Sequence, residues 1–337
     1  MSRRSLFVGA MAGLLVLTFA LHLGAGVNAP ALADIWQALS RLEATNYDQS
    51  VVLFQRLPRA AIALYVGAVT AISGCVLQGL IRNPLASPST LGVNAGATLG
   101  VIVSAFLLGL GARAQGMAAL AGGVAGFLAC LAVARLAGRR NDPRGLSLIL
   151  AGALVSMLLV AAVNAIMLSD PARRSDFLGW VSGNINHVYI DRLYSFWWIG
   201  ATVAVVLAGL AKSLTVIQLG QEKAESIGVN VTLVSRTALA AAILGSASAV
   251  AVCGPVSFIG LVVPHLVRPL AGPNFTRALP ACAAVGASLC LLADFTAREA
   301  FRPFSLNTGL VTDVLGGLAF IVIVKRFYLA PSNREKA

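Results

Sequence analysis

Charged residues are scarce in this chain of 337 residues. Asp, Glu, Lys and Arg together make up 11% of it, whereas soluble domains carry about 25%. Hydrophobic residues reach 58%, and they occur in runs of roughly 20, the length needed to cross a bilayer as a helix. The runs do not alternate apolar and polar residues, as strands of a membrane barrel do. The composition therefore predicts an all-α membrane protein built from several spanning helices.

Motifs for catalysis and for energy conversion are also missing. No GxxxxGK[ST] phosphate loop occurs, because none of the four lysines follows a glycine. The cysteines lie inside apolar runs without metal-ligand spacing, which is typical of small buried hydrophobes. No nucleophile–base pair is visible, and no acid lies clearly at mid-membrane, where an ion-coupled carrier needs one. The sequence thus predicts no enzyme, no cofactor and no metal bound by this chain.

Ten apolar segments are predicted to cross the membrane. The eighth is short, and Pro255 and Pro264 bracket its apolar part, so we expect it to be packed inside the bundle. The first resembles a signal peptide, but its apolar run exceeds the usual length of about 7–15 residues, which favours a retained span. The predicted spans are 6–27, 58–81, 91–110, 115–137, 146–168, 194–211, 231–251, 256–270, 278–296 and 309–328.

Positive charge is distributed unequally between the two sides of this predicted bundle. With the amino terminus inside, 16 of the 25 Lys and Arg residues but only four of the 13 acids fall on the inner side. The formal net charge of +12 therefore indicates topology, with both termini in the cytoplasm. Nucleic acid is not needed to explain it. Two long outer connections, 28–57 and 169–193, complete a single membrane domain over 1–337.

One polar, helix-favouring stretch interrupts the apolar chain on the inner side. It covers 219–229, contains Glu222, and has Gly220 and Gly228 at its ends. Glycine boundaries predict a short exposed helix within the inner segment 212–230. A solvated loop is the default interpretation, and a contact with another protein is the alternative.

Arginines cluster at the predicted outer ends of two spans. Arg56 and Arg59 flank Pro58 and share one helix face, and Arg298 ends the ninth span. This spacing suits anchoring at the membrane interface and suits arginines that project outward to carboxylates of a docking partner. The spacing alone leaves both open.

A helix break is predicted on the inner side, after the second span. Asn83 precedes a proline, which should end the helix. The break is either an ordinary loop or a constriction whose Asn83 and Leu85 side chains face a transport pathway. In the proline-rich eighth span, His265 is expected to be a hydrogen-bonded structural residue.

Five motifs occur in order along nearly the whole chain. They are RLPR at 56–59, Gln78 with RNPLA at 82–86 and LG at 91–92, LG…A…G at 219–228, GPVSFIGLVVPHLVR at 254–268 and AD…R at 293–298. Together they resemble the FecCD family, the permease subunits of bacterial ABC importers for ferric siderophores, haem and vitamin B12.

The resemblance implies a type II ABC importer permease in the inner membrane. Its implied partners are a second permease subunit, identical or homologous, two cytoplasmic ATPase subunits that carry ATP and Mg, and a periplasmic or lipid-anchored binding protein. The implied function is import of an iron–siderophore complex by alternating access, with haem and vitamin B12 as alternative cargoes. An ion-coupled secondary carrier and a non-transporting membrane scaffold are the rival classes.

The resemblance also implies roles for individual residues. These are docking of the binding protein by Arg56, Arg59 and Arg298, a cytoplasmic gate at Asn83 and Leu85, and contact with the ATPase by Gly220, Glu222, Ala224 and Gly228.

The last span departs from the family pattern. Ser305-Leu306-Asn307 stands where a Glu-Leu-Pro-like tripeptide is common, and Leu318 stands where proline is usual. Asp313 adds a charge about one turn inside the span. We expect neighbouring backbone or Arg302 to satisfy Asp313.

Overall fold

The computed structural model describes residues 3–26, 29–137 and 145–327. Within these ranges the chain is helical and contains no strand. The helices are α1 (Arg3–Gly24), α2 (Leu32–Arg41), α3 (Tyr47–Val51), α4 (Leu57–Ile81), α5 (Val93–Ile102), α6 (Ala112–Leu136), α7 (Leu146–Ser169), α8 (Pro171–Val181), α9 (Ile190–Gln218), α10 (Gln221–Ser226), α11 (Val231–Cys253), α12 (Ile259–Ala271), α13 (Phe275–Glu299) and α14 (Thr308–Phe327). The carboxyl terminus, predicted to be cytoplasmic, lies outside the described residues.

Apolar helices occupy the positions of all the predicted spans. In the described part of the chain, six segments are long and apolar enough to cross a membrane: Tyr47–Ile81, Ala112–Leu136, Leu146–Ser169, His187–Gln218, Val231–Cys253 and Phe275–Glu299. Four shorter apolar helices coincide with the remaining predicted spans: Gly9–Gly24, Val93–Leu107, Ile259–Ala271 and Thr308–Val322. The sequence therefore located the apolar helices correctly, with differences of a few residues at most of their ends.

The helix that carries the first two arginines is longer than its predicted span. A π-helical turn at Val52–Arg56 joins α3 directly to α4. Pro58 cannot donate a backbone hydrogen bond to the preceding turn, and a wider turn accommodates that missing donor. The arginines consequently lie on a continuous helix, and α4 does not emerge from a flexible loop.

Helix α4 forms the centre of the bundle. Most of its residues between Ala60 and Gln78 are buried, and it packs against α9, α11, α12 and α13. Two glycines of α4 allow these close approaches. Gly67 faces the backbone of Gly286 in α13, and Gly74 faces the backbone of Gly260 in α12. Small residues let membrane helices approach closely enough for extensive dispersion contacts.

The break before α12 lies where the sequence predicted it, and α12 ends one residue beyond the predicted span 256–270. The backbone is non-helical between α11 and α12, with φ +83° at Gly254 and +61° at Phe258. Pro264 was predicted to bound the apolar part, yet it lies inside α12. The side chain of the next residue contacts the helix backbone here: His265 Nδ1 lies 2.8 Å from the carbonyl oxygen of Leu261. The expectation that His265 is a hydrogen-bonded structural residue agrees with this contact.

The long connection before α4 folds as the helical pair α2 and α3. The buried amide of Gln49 donates to both Asp34 and Gln37, which fixes α3 on α2. Trp36 and Tyr47 remain exposed, a pattern typical of residues at a membrane–water interface. The pair thus forms an ordered rim beside the arginines.

Candidate functional site

The three arginines predicted to form a docking site line one cavity. Arg56 and Arg59 come from the start of α4 and Arg298 from the end of α13, and the cavity measures about 280 Å³. Four arginines line it against two acids. The remaining charged lining residues are Arg302, Asp48 and Glu299. The local excess of positive charge favours an acidic partner.

A buried carboxylate holds two of these arginines. Asp294 of α13 is 0% exposed. Arg59 binds it through two hydrogen bonds, Nη2 to Oδ1 at 2.7 Å and Nε to Oδ2 at 3.1 Å. His22 Nε2 lies 2.8 Å from Oδ2, and the Thr308 hydroxyl donates to Oδ1 at 2.8 Å. Arg298 Nε lies 3.5 Å from Oδ2. One carboxylate therefore joins α1, α4, α13 and α14.

These arginines are more buried than side chains that only anchor a helix at the membrane interface or reach outward to a partner. Arg56 is only 6% exposed, and its Nη1 donates to the carbonyl oxygens of Leu23 and Ala25. Arg298 donates through Nη2 to the carbonyl oxygen of His22. The cause is that α1 and Asp294 pack against the arginines and supply acceptors. Their role in docking stays a prediction.

Sequence reasoning missed the network around Asp294. His22 and Asp294 are 272 residues apart in the chain, and Arg59 and Asp294 are 235 apart. One local signal was available, because Asp294 precedes Arg298 by four residues and such pairs meet on one helix face. The contacts of His22 and Thr308 with Asp294 have no comparable signal in the local sequence.

The polar stretch 219–229, which follows the carboxyl end of α9, forms the predicted short helix. Helix α10 covers Gln221–Ser226, and glycines bound it on both sides. Gly220 has φ +133° and Gly228 has φ +85°, values that side chains with a Cβ rarely adopt. The prediction of a glycine-bounded helix is confirmed. The end of the bundle that carries residues 219–229 is called the α10 end below.

The surface of this segment differs from the predicted one at Ala224. Ala224 is 0% exposed and belongs to the main hydrophobic core, so its side chain cannot touch another subunit. Its burial anchors α10 on the bundle. Glu222 is exposed, and the flanking Leu219 and Ile227 are 69% and 66% exposed. These two apolar side chains extend the available contact surface beyond the predicted residues.

Asn83 and Leu85 differ in exposure at the helix break. Asn83 is buried, and its Oδ1 accepts a hydrogen bond from the backbone N–H of Leu85 at 2.9 Å. This contact closes the turn after α4, which favours the loop interpretation for Asn83. Leu85 is half-buried, so only its side chain has surface that could face a pathway. The assignment of a cytoplasmic gate to Asn83 and Leu85 stays a prediction.

The charge of the divergent last span is not paired with the expected arginine. Asp313 is exposed, and no ion pair joins it to Arg302 within the described part of the chain. Arg302 instead pairs with Glu299 at 2.7 Å. The expectation that Arg302 satisfies Asp313 is therefore wrong, because Glu299 lies within three residues of Arg302 on the same stretch. Ser305 and Leu318 are exposed and Asn307 is half-buried.

Helix α9 separates the two candidate surfaces. His187, just before it, lines the arginine cavity, and Leu219, just after it, lines a second cavity that also contains Glu222. Its 29 residues correspond to roughly 40 Å at 1.5 Å per residue, more than the roughly 30 Å of a bilayer core. The structure thus defines a multi-span helical membrane protein with a basic surface at one end and an exposed short helix at the other.

Within this class, the chain belongs to the FecCD transport family. The model of that family matches residues 14–326, which confirms the resemblance carried by the five motifs.

Relatives and a solved structure extend this match over nearly the full chain. The Fe(3+) dicitrate transport system permease protein FecD of Escherichia coli (strain K12) is 34% identical over 94% of this chain and 96% of its own. The hemin transport system permease protein HmuU of Yersinia pestis is 35% identical over 93% of this chain and 94% of its own. A metal-chelate type ABC transporter, solved in an inward-facing conformation, matches with a TM-score of 0.77 at 28% identity, covering 96% of this chain and 100% of that one.

Proposed function

We propose that this chain is the membrane-spanning permease subunit of an ABC importer and that it carries a ferric chelate, most simply an iron–siderophore complex. The observation that carries the proposal is the arrangement of one basic cavity and one glycine-bounded helix at opposite ends of a spanning bundle. Family membership and the similarity to a metal-chelate type ABC transporter support it.

The proposed assembly follows from the two ends. Both termini and α10 lie in the cytoplasm, and all ten apolar helices cross the membrane. Two ATPase subunits, which carry ATP and Mg, contact α10, and a binding protein docks at the arginine cavity. A second permease, identical or homologous, completes the pathway. ATP-driven motion of α10 then switches the bundle between outward-open and inward-open packings.

The cargo is the finer part of the proposal. Relatives at 34% and 35% identity are named for ferric dicitrate and for hemin, so haem is the second candidate, and vitamin B12 remains a third. The test is uptake into proteoliposomes that contain the chain and its copurifying subunits, supplied in turn with ⁵⁵Fe-siderophore, ferric citrate, hemin and cobalamin. We expect uptake of a ferric chelate that requires ATP. Uptake driven by a proton or sodium gradient without ATP would contradict the permease assignment.

Arg56 offers the cleanest test of the docking surface, because it binds backbone carbonyls and leaves Asp294 untouched. We expect Arg56→Gln to raise the KM of uptake for the loaded binding protein about tenfold, because it removes one of the four guanidinium groups of the cavity and the bonds that hold the carbonyl groups of Leu23 and Ala25. The turnover rate should remain unchanged. Arg113→Gln, an exposed arginine at the start of α6, is the matched control. Equal KM values for the two variants would reject the docking role.

Glu222 and Gly228 test the coupling surface. We expect Glu222→Arg and Gly228→Val to reduce ATP-dependent uptake about tenfold or more, because the first reverses an exposed charge and the second strains a backbone with φ +85°. ATP hydrolysis should become independent of substrate. Asp191→Lys, a charge reversal at an exposed position at the other end of α9, should leave uptake intact. Normal coupling in both Glu222→Arg and Gly228→Val would remove this segment from the mechanism.

A further inference from the structure

A further basic cavity lies at the α10 end, between α4, α9 and α12. It is separate from the arginine cavity and from the cavity that contains Leu219 and Glu222. It measures about 450 Å³, and its polar lining comes from Gln78, Arg82, Gln218 and Arg268. Its lining residues all belong to the described ranges, and none of them is Asp or Glu. Two guanidinium groups therefore share a cavity whose own lining supplies no compensating negative charge.

Two polar side chains of this cavity keep hydrogen-bonding capacity that the protein does not use. The Nη2 nitrogen of Arg268 is buried and makes no hydrogen bond within the described chain. Gln78 is 1% exposed, and its Oε1 is likewise unpaired. The orientation of this amide is determined, because Nε2 donates to the carbonyl oxygen of Leu261 at 3.0 Å and that oxygen can only accept. A buried polar atom without a partner costs about 1–3 kcal/mol.

The unused groups define the chemistry of a ligand. Arginine presents a planar fork of N–H donors that matches the oxygens of phosphate, and the pairing is strong because both partners are charged. The Gln78 oxygen needs a donor, which a protonated phosphate oxygen or a hydroxyl beside the phosphate supplies. Arg82 is held in place by donating through Nη2 to the carbonyl oxygen of Ile217 at 3.0 Å. A carboxylate ligand would satisfy the arginines but not Gln78.

We propose that this cavity binds a phosphate-bearing anion, with Arg82 and Arg268 contacting the phosphate and Gln78 accepting from a hydroxyl. Its volume falls within the range of about 300–1,000 Å³ that is usual for small-molecule sites. In the proposed orientation the cavity faces the cytoplasm, where the anionic headgroups of phospholipids and free phosphate are both available. Arg82 also lines the neighbouring cavity that contains Leu219 to Lys223, so the site adjoins the coupling segment.

Binding of defined anions to the full-length chain, purified with its copurifying subunits, tests this site. Phosphatidylglycerol and phosphatidylcholine binding are measured by native mass spectrometry, and inorganic phosphate binding by equilibrium dialysis. We expect Arg268→Gln to weaken binding of phosphatidylglycerol or of inorganic phosphate about tenfold or more. Arg236→Gln removes an exposed arginine of α11 that lines neither of the two cavities, and we expect it to bind like the wild type.

The outcomes separate the sources of phosphate. A loss confined to phosphatidylglycerol identifies a lipid headgroup, and a loss of inorganic phosphate identifies the free anion. Gln78→Met keeps the buried volume and removes the acceptor, so it should weaken binding of the same ligand. This variant tests the proposal if Arg268→Gln does not fold. The proposal is overturned if both arginine variants lose binding equally, if phosphatidylcholine is lost to the same extent, or if neither Arg268→Gln nor Gln78→Met changes binding.

Discussion

Replacing Asp294 with asparagine is expected to destabilise the folded chain by about 3–5 kcal/mol, the usual cost of removing one partner from a buried ion pair. The carboxylate is fully buried, and it compensates Arg59 and Arg298, whose side chains are only 12% and 15% exposed. Asparagine keeps the shape but leaves both guanidinium groups without a counter-charge. The amide also presents one acceptor oxygen where the carboxylate presents two. Thermal unfolding in detergent, followed by size-exclusion chromatography, measures the loss.

The neighbouring pair of Glu299 and Arg302 provides the matched control. It lies in the same cavity wall at 2.7 Å, and its side chains are more exposed than that of Asp294. Glu299→Gln should therefore cost at most about 1 kcal/mol. The double variant Asp294→Asn, Arg298→Gln should recover part of the loss, because it removes one of the uncompensated charges. If Asp294→Asn unfolds at the same temperature as the wild type, the carboxylate does not hold α1, α4, α13 and α14 together.

Replacing Gly74 with alanine is expected to destabilise the bundle by about 3 kcal/mol or more, at the upper end of the cost of overpacking. A Cβ at this position of α4 would overlap the carbonyl group of Gly260 in α12. Backbone atoms cannot move aside as a flexible side chain can, so α12 as a whole has to shift. We expect little folded protein in the membrane fraction and early unfolding of what remains.

Gly209 of α9 is the control for this substitution. It also lies inside a spanning helix, but a Cβ there meets no atom within 4 Å. Gly209→Ala should be neutral or stabilising by about 0.5–1 kcal/mol, since alanine restricts the unfolded chain more than glycine does. If Gly74→Ala accumulates and unfolds like Gly209→Ala, the close packing of α4 on α12 does not limit stability.

Much of the fold was accessible from the sequence because membrane helices are specified locally. Long apolar runs have to satisfy their backbone groups within one helix, so their positions follow from composition. The boundaries of α10 followed from Gly220 and Gly228, because glycine relieves the strain of positive φ at a helix end. The π-helical turn at Val52–Arg56 was not predicted, because this stretch falls within the predicted outer connection 28–57.

The error at Ala224 arises from burial against other helices. Ala224 carries the right motif position for a contact residue, but the core of α9 and α11 covers it. Local sequence does not encode which side of a short segment faces the bundle, because that choice depends on helices far away in the chain.

The sequence by itself determined the helical membrane class, the location of the apolar helices, the family and the glycine-bounded helix α10. Each of these follows from local composition or from motifs of a few residues. Tertiary structure alone decided that Arg56, Arg59 and Arg298 share one cavity, that Asp294 holds two of them, and that Ala224 is buried. These facts rest on pairings across 235 to 272 residues and on helix packing. Charge pairing in a buried site depends on three-dimensional distance, which no local pattern of residues fixes.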